Sequence, residues 1–308
     1  MEFTFGGKYR PEEEIAIGGC GASLIKLDPA VPSSRNASLP LKQESKVYRM
    51  LVGGLGVPWI MWSDKQSDYN AMVINMLGPS VEDLFKMCHR HPLLKIVLLP
   101  TDLLISRLEF IHARDFLRRD VKLANFVTGT EQSAHLVNVI DTGAHIPYRQ
   151  GDHHGVRTSL FVSLNAHEGI KCSWCDDLKS LAYMLTYFLR GTLPWRKTKG
   201  ATVSATWDAI HAAKLAALPL LTAGLPAEFA VFFEYARGLE FGDLPDYEGL
   251  RELFRGLAGR VGVRYNGVSD WTLGPVRAGT RRFCEACNAR REEMDASRRE
   301  EVGGDVRR

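Results

Sequence analysis

The sequence predicts an α+β fold with two unequal lobes. Short strand-like segments fill the first ~70 residues, and helical periodicity takes over from Ser80. The chain has 308 residues, enough to bury a large core. The boundaries expected are 1–78 for a strand-rich lobe, 79–273 for a larger helical lobe and 274–308 for a charged tail, helical or disordered.

Ile15-Ala16-Ile17 and Leu24-Ile25-Lys26-Leu27 read as short strands, and Met72-Val73-Ile74 as another. Pro40 to Met50 reads as a helix, because Glu44, Val47 and Tyr48 fall on one face at i, i+3, i+4 spacing. Val81 to Cys88 is amphipathic. Thr101 to His112 repeats Leu103, Leu104, Leu108 and Ile111 at helical spacing. Pro100 lies inside what should be a longer helix and is expected to kink it. Asp177 to Leu189 is apolar enough for a buried central helix, and Pro226 to Leu239 and Tyr247 to Leu257 give two more.

Hydrophobic content of 45% and charged content of 24% are ordinary for a globular protein. A net charge of +3 lacks the clustered excess of a nucleic-acid binder. In the tail Arg281-Arg282 and Arg298-Arg299 are offset by Glu292, Glu293, Glu300 and Glu301, which argues against nucleic acid. Met1 to Tyr9 hold no long apolar run, so no secretory signal is expected. No run of about eighteen apolar residues occurs, so no membrane span is expected either. A cytoplasmic or nuclear monomer fits these features. The six cysteines include two CxxC pairs, Cys172/Cys175 and Cys284/Cys287. They lie too far apart for a compact zinc ribbon and read as reduced thiols.

The chemistry-bearing stretch is Arg119-Asp120-Val121-Lys122-Leu123-Ala124-Asn125, followed by Asp141-Thr142-Gly143. Phosphoryl transfer from a metal-bound nucleotide needs one Asp to orient a hydroxyl and accept its proton. It also needs an Asn and a second Asp to hold the metal.

Further segments carry a resemblance. They are Glu44-Ser45-Lys46-Val47-Tyr48, Gly53-Gly54-Leu55-Gly56-Val57-Pro58, Leu77-Gly78-Pro79-Ser80 running on through Phe85, His145-Ile146-Pro147-Tyr148-Arg149, Ser163-Leu164-Asn165, Asp176-Asp177-Leu178, Leu193-Pro194-Trp195 and Pro245-Asp246-Tyr247. In this order, from Gly7 to Trp271, they resemble the casein kinase I family of Ser/Thr protein kinases. The resemblance implies a bilobal protein-kinase-like fold, with ATP and Mg2+ as cofactors. It implies protein substrates with Ser or Thr near acidic residues. Lys26 would contact the α and β phosphates, held by Glu44. Asp120 would take the hydroxyl proton, Lys122 would neutralise the transferring phosphoryl, and Asn125 and Asp141 would hold magnesium. Ile74 would be the gatekeeper and Asn75-Met76-Leu77 the hinge. Met76 and Leu77 would hydrogen-bond adenine through their backbones, above a floor of Val127 and Ile140. Ile17 and Gly18 would begin the glycine-rich phosphate loop.

The chain also departs from the family pattern. Lys26 follows Gly18 by only eight positions. A glycine turn, a second strand and a return strand need roughly twenty residues at about 3.3 Å each, so one strand is expected to be missing. Arg118 replaces a His and adds a charge near the site, and Thr142 replaces a Phe. The run from Gly143 to His145 is shorter than the family's. Leu160 stands where the family has an anion-reading Arg, and Lys214 is expected to remain in that basic pocket. The alternative is a pseudokinase or scaffold with weak or no catalysis. The two internal losses also fit a product from which coding sequence was skipped.

Overall fold

The computed structural model describes residues 4–9, 23–29, 41–130, 133, 135–141 and 159–263. The expected strand Ile15–Ile17, the loop beginning at Gly18, the stretch from Thr142 to Arg149, and the charged tail with Cys284 and Cys287 lie outside the described residues. The described part is mixed α+β. In chain order it holds β1 (Ser23–Pro29), α1 (Leu41–Met50), β2 (Ile60–Gln66), β3 (Tyr69–Asn75), α2 (Val81–Met87), α3 (Leu94–His112), β4 (Phe126–Thr128), β5 (Val137–Val139), α4 (Leu164–His167), α5 (Trp174–Arg190), α6 (Val203–Ala217), α7 (Ala227–Gly238) and α8 (Tyr247–Arg260). Among the described residues no helix is long and apolar enough to cross a membrane.

β3 is the centre of an antiparallel sheet of order β1-β3-β2. It is paired along both edges, and Ala71, Met72, Val73 and Ile74 are buried in sequence, with Met72 and Ile74 facing the smaller core. In β1 the period of two puts Leu24, Lys26 and Asp28 on one face. That face meets α1 in three ways. Leu24 packs on the smaller core, Lys26 pairs with Glu44, and Asp28 Oδ2 accepts the Leu41 N–H at 3.3 Å. The carboxylate satisfies an otherwise orphaned donor at the helix start and complements the helix dipole.

The smaller core gathers Leu41, Tyr48, Met72 and Ile74, and the larger is built mainly from helices α2, α3, α5, α7 and α8. Helix α1 belongs to both, because Leu41 and Tyr48 enter the smaller core while Val47, and Leu51 just past the helix end, enter the larger. Gly56 makes a second link. Its carbonyl accepts the Val139 N–H at 2.8 Å, at φ +79°. A Cβ there would overlap the buried Arg107 side chain and the Val137 carbonyl, so only glycine fits.

Helix α3 runs from Leu94 to His112 as one segment with Pro100 buried inside it. Pro100 donates no backbone hydrogen bond, but Ile96, Val97, Leu98, Leu104 and Ile105 on either side are anchored in the larger core. Packing holds the helix through the gap. No pattern in the sequence announces β2, β4, β5 or α6.

The expectation for Lys214 of α6 is corrected. It is fully buried, and its amine donates to the carbonyls of Ser159 (2.9 Å) and Val162 (2.6 Å) above the rings of Tyr183 and Trp195. Burial pushes its pKa well below the usual lysine range. It braces the segment before α4 and does not face an anion at the surface. Leu160, half-buried, gives its carbonyl to Trp195 Nε1 at 2.7 Å.

Beside Lys214, His167 is buried, 4.3 Å from the Trp207 ring, and neither ring nitrogen has a partner within hydrogen-bonding distance among the described residues. Burial first, then Lys214 and His211, push its pKa down from 6.5 to about 3; the Ser159 backbone pulls weakly upward from beyond hydrogen-bonding range. Between those values the unfolded chain binds a proton that the folded chain refuses, so stability falls as pH drops below 6.5. The slope from this group is at most about 1.4 kcal/mol per pH unit. Urea unfolding from pH 7 to 5 should show this loss, and His167→Phe should flatten it. Parallel slopes in the two proteins would refute the assignment.

Candidate active site

Asp177, in the first turn of α5, organises the loop that carries the predicted chemistry. It is buried, accepts the backbone N–H groups of Arg118 (2.6 Å) and Arg119 (2.7 Å), and lies 2.9 Å from His112 Nε2. The two amide bonds pin the chain where Arg119 takes φ +60°. That conformation is strained for a residue with a Cβ and persists only when its surroundings enforce it. The backbone then turns so that Asp120, Lys122 and Asn125 converge. Lys122 Nζ is 2.6 Å from Asp120 Oδ2, and Asn125 Nδ2 donates to the Asp120 carbonyl (3.0 Å) and to Asp120 Oδ2 (3.1 Å). Both partners of that amide are acceptors, so its nitrogen faces Asp120 and Oδ1 is left for a cation.

Asn125 ends a short 3-10 turn, Leu123–Asn125, that leads into β4. β4 pairs with β5 through Phe126↔Val139, Val127↔Asn138 and Thr128↔Val137. The hairpin returns the chain to Ile140, whose N–H donates to the Asn125 carbonyl at 3.0 Å. Asp141 follows, also at φ +60°. Its N–H donates to the Tyr48 hydroxyl at 3.1 Å, and its carbonyl accepts from Arg118 Nη1.

Lys26 joins the strand-rich part to this loop. Its Nζ is 2.7 Å from Glu44 Oε1 and 3.8 Å from Asp141 Oδ1. Glu44 is 7% exposed and Asp141 53% exposed at their side chains. The lysine is therefore held from the buried side and points its charge toward an accessible carboxylate. Two groups here carry oxygens that a cation could take, Asn125 through Oδ1 and Asp141 through its carboxylate. Both are hard donors of the kind Mg2+ takes, and that ion keeps several waters, so a set this small fits it. Among the described residues no group of three or more His, Cys, Asp or Glu is placed to hold a metal.

The predicted base-binding residues are placed as follows. Ile74 is fully buried in β3 between Leu24 of β1 and Ile60 of β2. Leu77 packs on the same core, and the Met76 carbonyl already accepts the Asn75 side-chain amide at 3.2 Å. Val127 is buried in β4 opposite Asn138, with Ser80 bridged to its other side. Ile140 is half-buried, its carbonyl held by Arg118 Nη2 at 2.6 Å. Ile17 and Gly18 lie outside the described residues.

Two residues that shape the candidate site escaped the sequence pattern, and a third changed role. Tyr48 is one, although its i+4 spacing from Glu44 was visible. Burial pushes its hydroxyl well above the usual tyrosine range, with the Glu44 charge adding to the effect, so it stays neutral. Asp177 is the other; nothing local marks it as a hub for a loop about sixty residues earlier. Arg118, expected as an added charge, is a buried brace. No protein-family model matches the chain.

Proposed function

We propose that this chain is a Ser/Thr protein kinase of the casein kinase I type, transferring the γ-phosphoryl group of ATP to hydroxyls near acidic residues. In this reading residues 1–78 and 79–273 form the two lobes of a kinase fold. The observation that carries it is the convergence of four distant segments: Lys26 paired with Glu44 and close to Asp141, and Asp120 in contact with Lys122 and Asn125.

Lys26 would orient the α and β phosphates, its direction fixed by Glu44. Asn125 and Asp141 would hold magnesium, which when bound neutralises charge on the phosphate oxygens. Lys122 and Asn125 engage Asp120 Oδ2, which leaves Oδ1 as the oxygen assigned to the incoming hydroxyl and its proton. Lys122, beside it, would offset charge developing on the transferring group.

Two measurements test this together. Millimolar Mg-ATP should raise the melting temperature of the full chain, and Lys26→Met should abolish the shift. Label from γ-labelled ATP should appear on casein. A folded wild-type chain that neither shifts nor transfers label refutes the reading.

A further inference from the structure

We propose that Arg118 is a positioning residue whose buried guanidinium aims the Asp141 carboxylate at the magnesium site; the inference rests on the phosphoryl-transfer reading above. Arg118 is 1% exposed. Its Nη2 donates to the Ile140 carbonyl at 2.6 Å and its Nη1 to the Asp141 carbonyl. These are consecutive carbonyls, and a planar fork with two fixed donors suits them, whereas an ammonium is a point charge with no fixed plane to set their geometry.

The grip completes a set. The Ile140 N–H is held by the Asn125 carbonyl and the Asp141 N–H by the Tyr48 hydroxyl. With Arg118 on both carbonyls, every backbone polar group of Ile140 and Asp141 has a partner. The φ of +60° at Asp141 is thus enforced from four sides, and the Cα–Cβ direction of the metal-binding side chain follows from it. The carboxylate itself remains accessible.

Arg118 is itself fastened by its own N–H to Asp177 and lies two residues before Asp120. One side chain therefore sets the spacing between the loop that carries the hydroxyl-orienting carboxylate and the residue that carries the metal-binding one. The hold on the aspartate runs from the Arg118 guanidinium to main-chain carbonyls.

The test is isothermal titration of the full chain with ATP in excess Mg2+ and in EDTA, for wild type, Arg118→Met and Arg118→Lys. Removing an outer support of a metal ligand typically weakens metal affinity by about 10–100-fold. Arg118→Met should therefore lose at least about tenfold of the Mg2+-dependent tightening while its affinity in EDTA stays within about twofold of wild type. Arg118→Lys, which keeps the charge but not the planar fork, should fall between. A brace serving only stability would lower the melting temperature without this split. Equal Mg2+-dependent tightening in wild type and Arg118→Met overturns the inference and leaves the kinase reading standing. If Arg118→Met does not fold, Arg118→Lys decides by the same criterion, and a match to wild type overturns it. A wild type that binds ATP in neither condition overturns both.

Discussion

Replacing Asp120 by Asn should lower phosphate transfer to casein by about a thousandfold, within the range typical of removing a general base. Mg-ATP affinity should stay within about twofold, because neither ligand oxygen assigned to the metal belongs to Asp120. The geometry makes this variant a clean one. Asn125 Nδ2 donates to the Asp120 main-chain carbonyl as well as to Oδ2, so the loop keeps one anchor when the carboxylate becomes an amide. Lys122 loses its charge partner but stays partly solvated, with 27% of its side chain exposed. Initial rates with labelled ATP, alongside titration of Mg-ATP, separate the two effects. Equal transfer by both proteins would mean that Asp120 does not take the proton, or that the signal comes from a contaminant.

The second large effect is on the folded state. Asp177→Ala should destabilise the chain by roughly 3–5 kcal/mol, as expected when one partner of a buried charged cluster is removed. Three groups lose their acceptor together: the N–H groups of Arg118 and Arg119, and His112 Nε2. For a chain of this size that corresponds to a drop in melting temperature on the order of 10 °C. Asp177→Asn, which keeps one acceptor oxygen, should fall between. The loop released is the one held at the strained Arg119 conformation, so catalysis should decline even at temperatures where the variant is folded. Thermal unfolding followed by circular dichroism, with transfer assayed well below the transition, tests both parts. An Asp177→Ala protein as stable as wild type would remove Asp177 from its place as the hub.

The strongly periodic elements were legible in the sequence. Helices α1, α5, α7 and α8 fall close to the segments that their apolar spacing marks. Strands β4 and β5 were not, because three residues are too few to establish a period. Helix α6 hid for another reason. Its buried residues are Trp207, Ile210 and Lys214, and a lysine in the core breaks the apolar stripe a reader looks for. The second half of β2, Ser63 to Gln66, is polar and looks like a turn. At the site, the residue types and short spacings named Asp120, Lys122, Asn125 and Asp141. What spacing could not show is which distant groups hold them. Tyr48 meets Asp141 across 93 positions and Arg118 meets Ile140 across 22, and such partnerships exist only once the chain is folded.

Helix α1 carries Glu44 and Tyr48 one turn apart on a single face. The first fixes Lys26 and the second fixes the Asp141 backbone. A displacement of this one rod by a single residue's rise, about 1.5 Å, would break both attachments in one movement. Lys26 and the Asp141 backbone are therefore geared to the same shaft. Any movement of α1 along its axis would act on both at once.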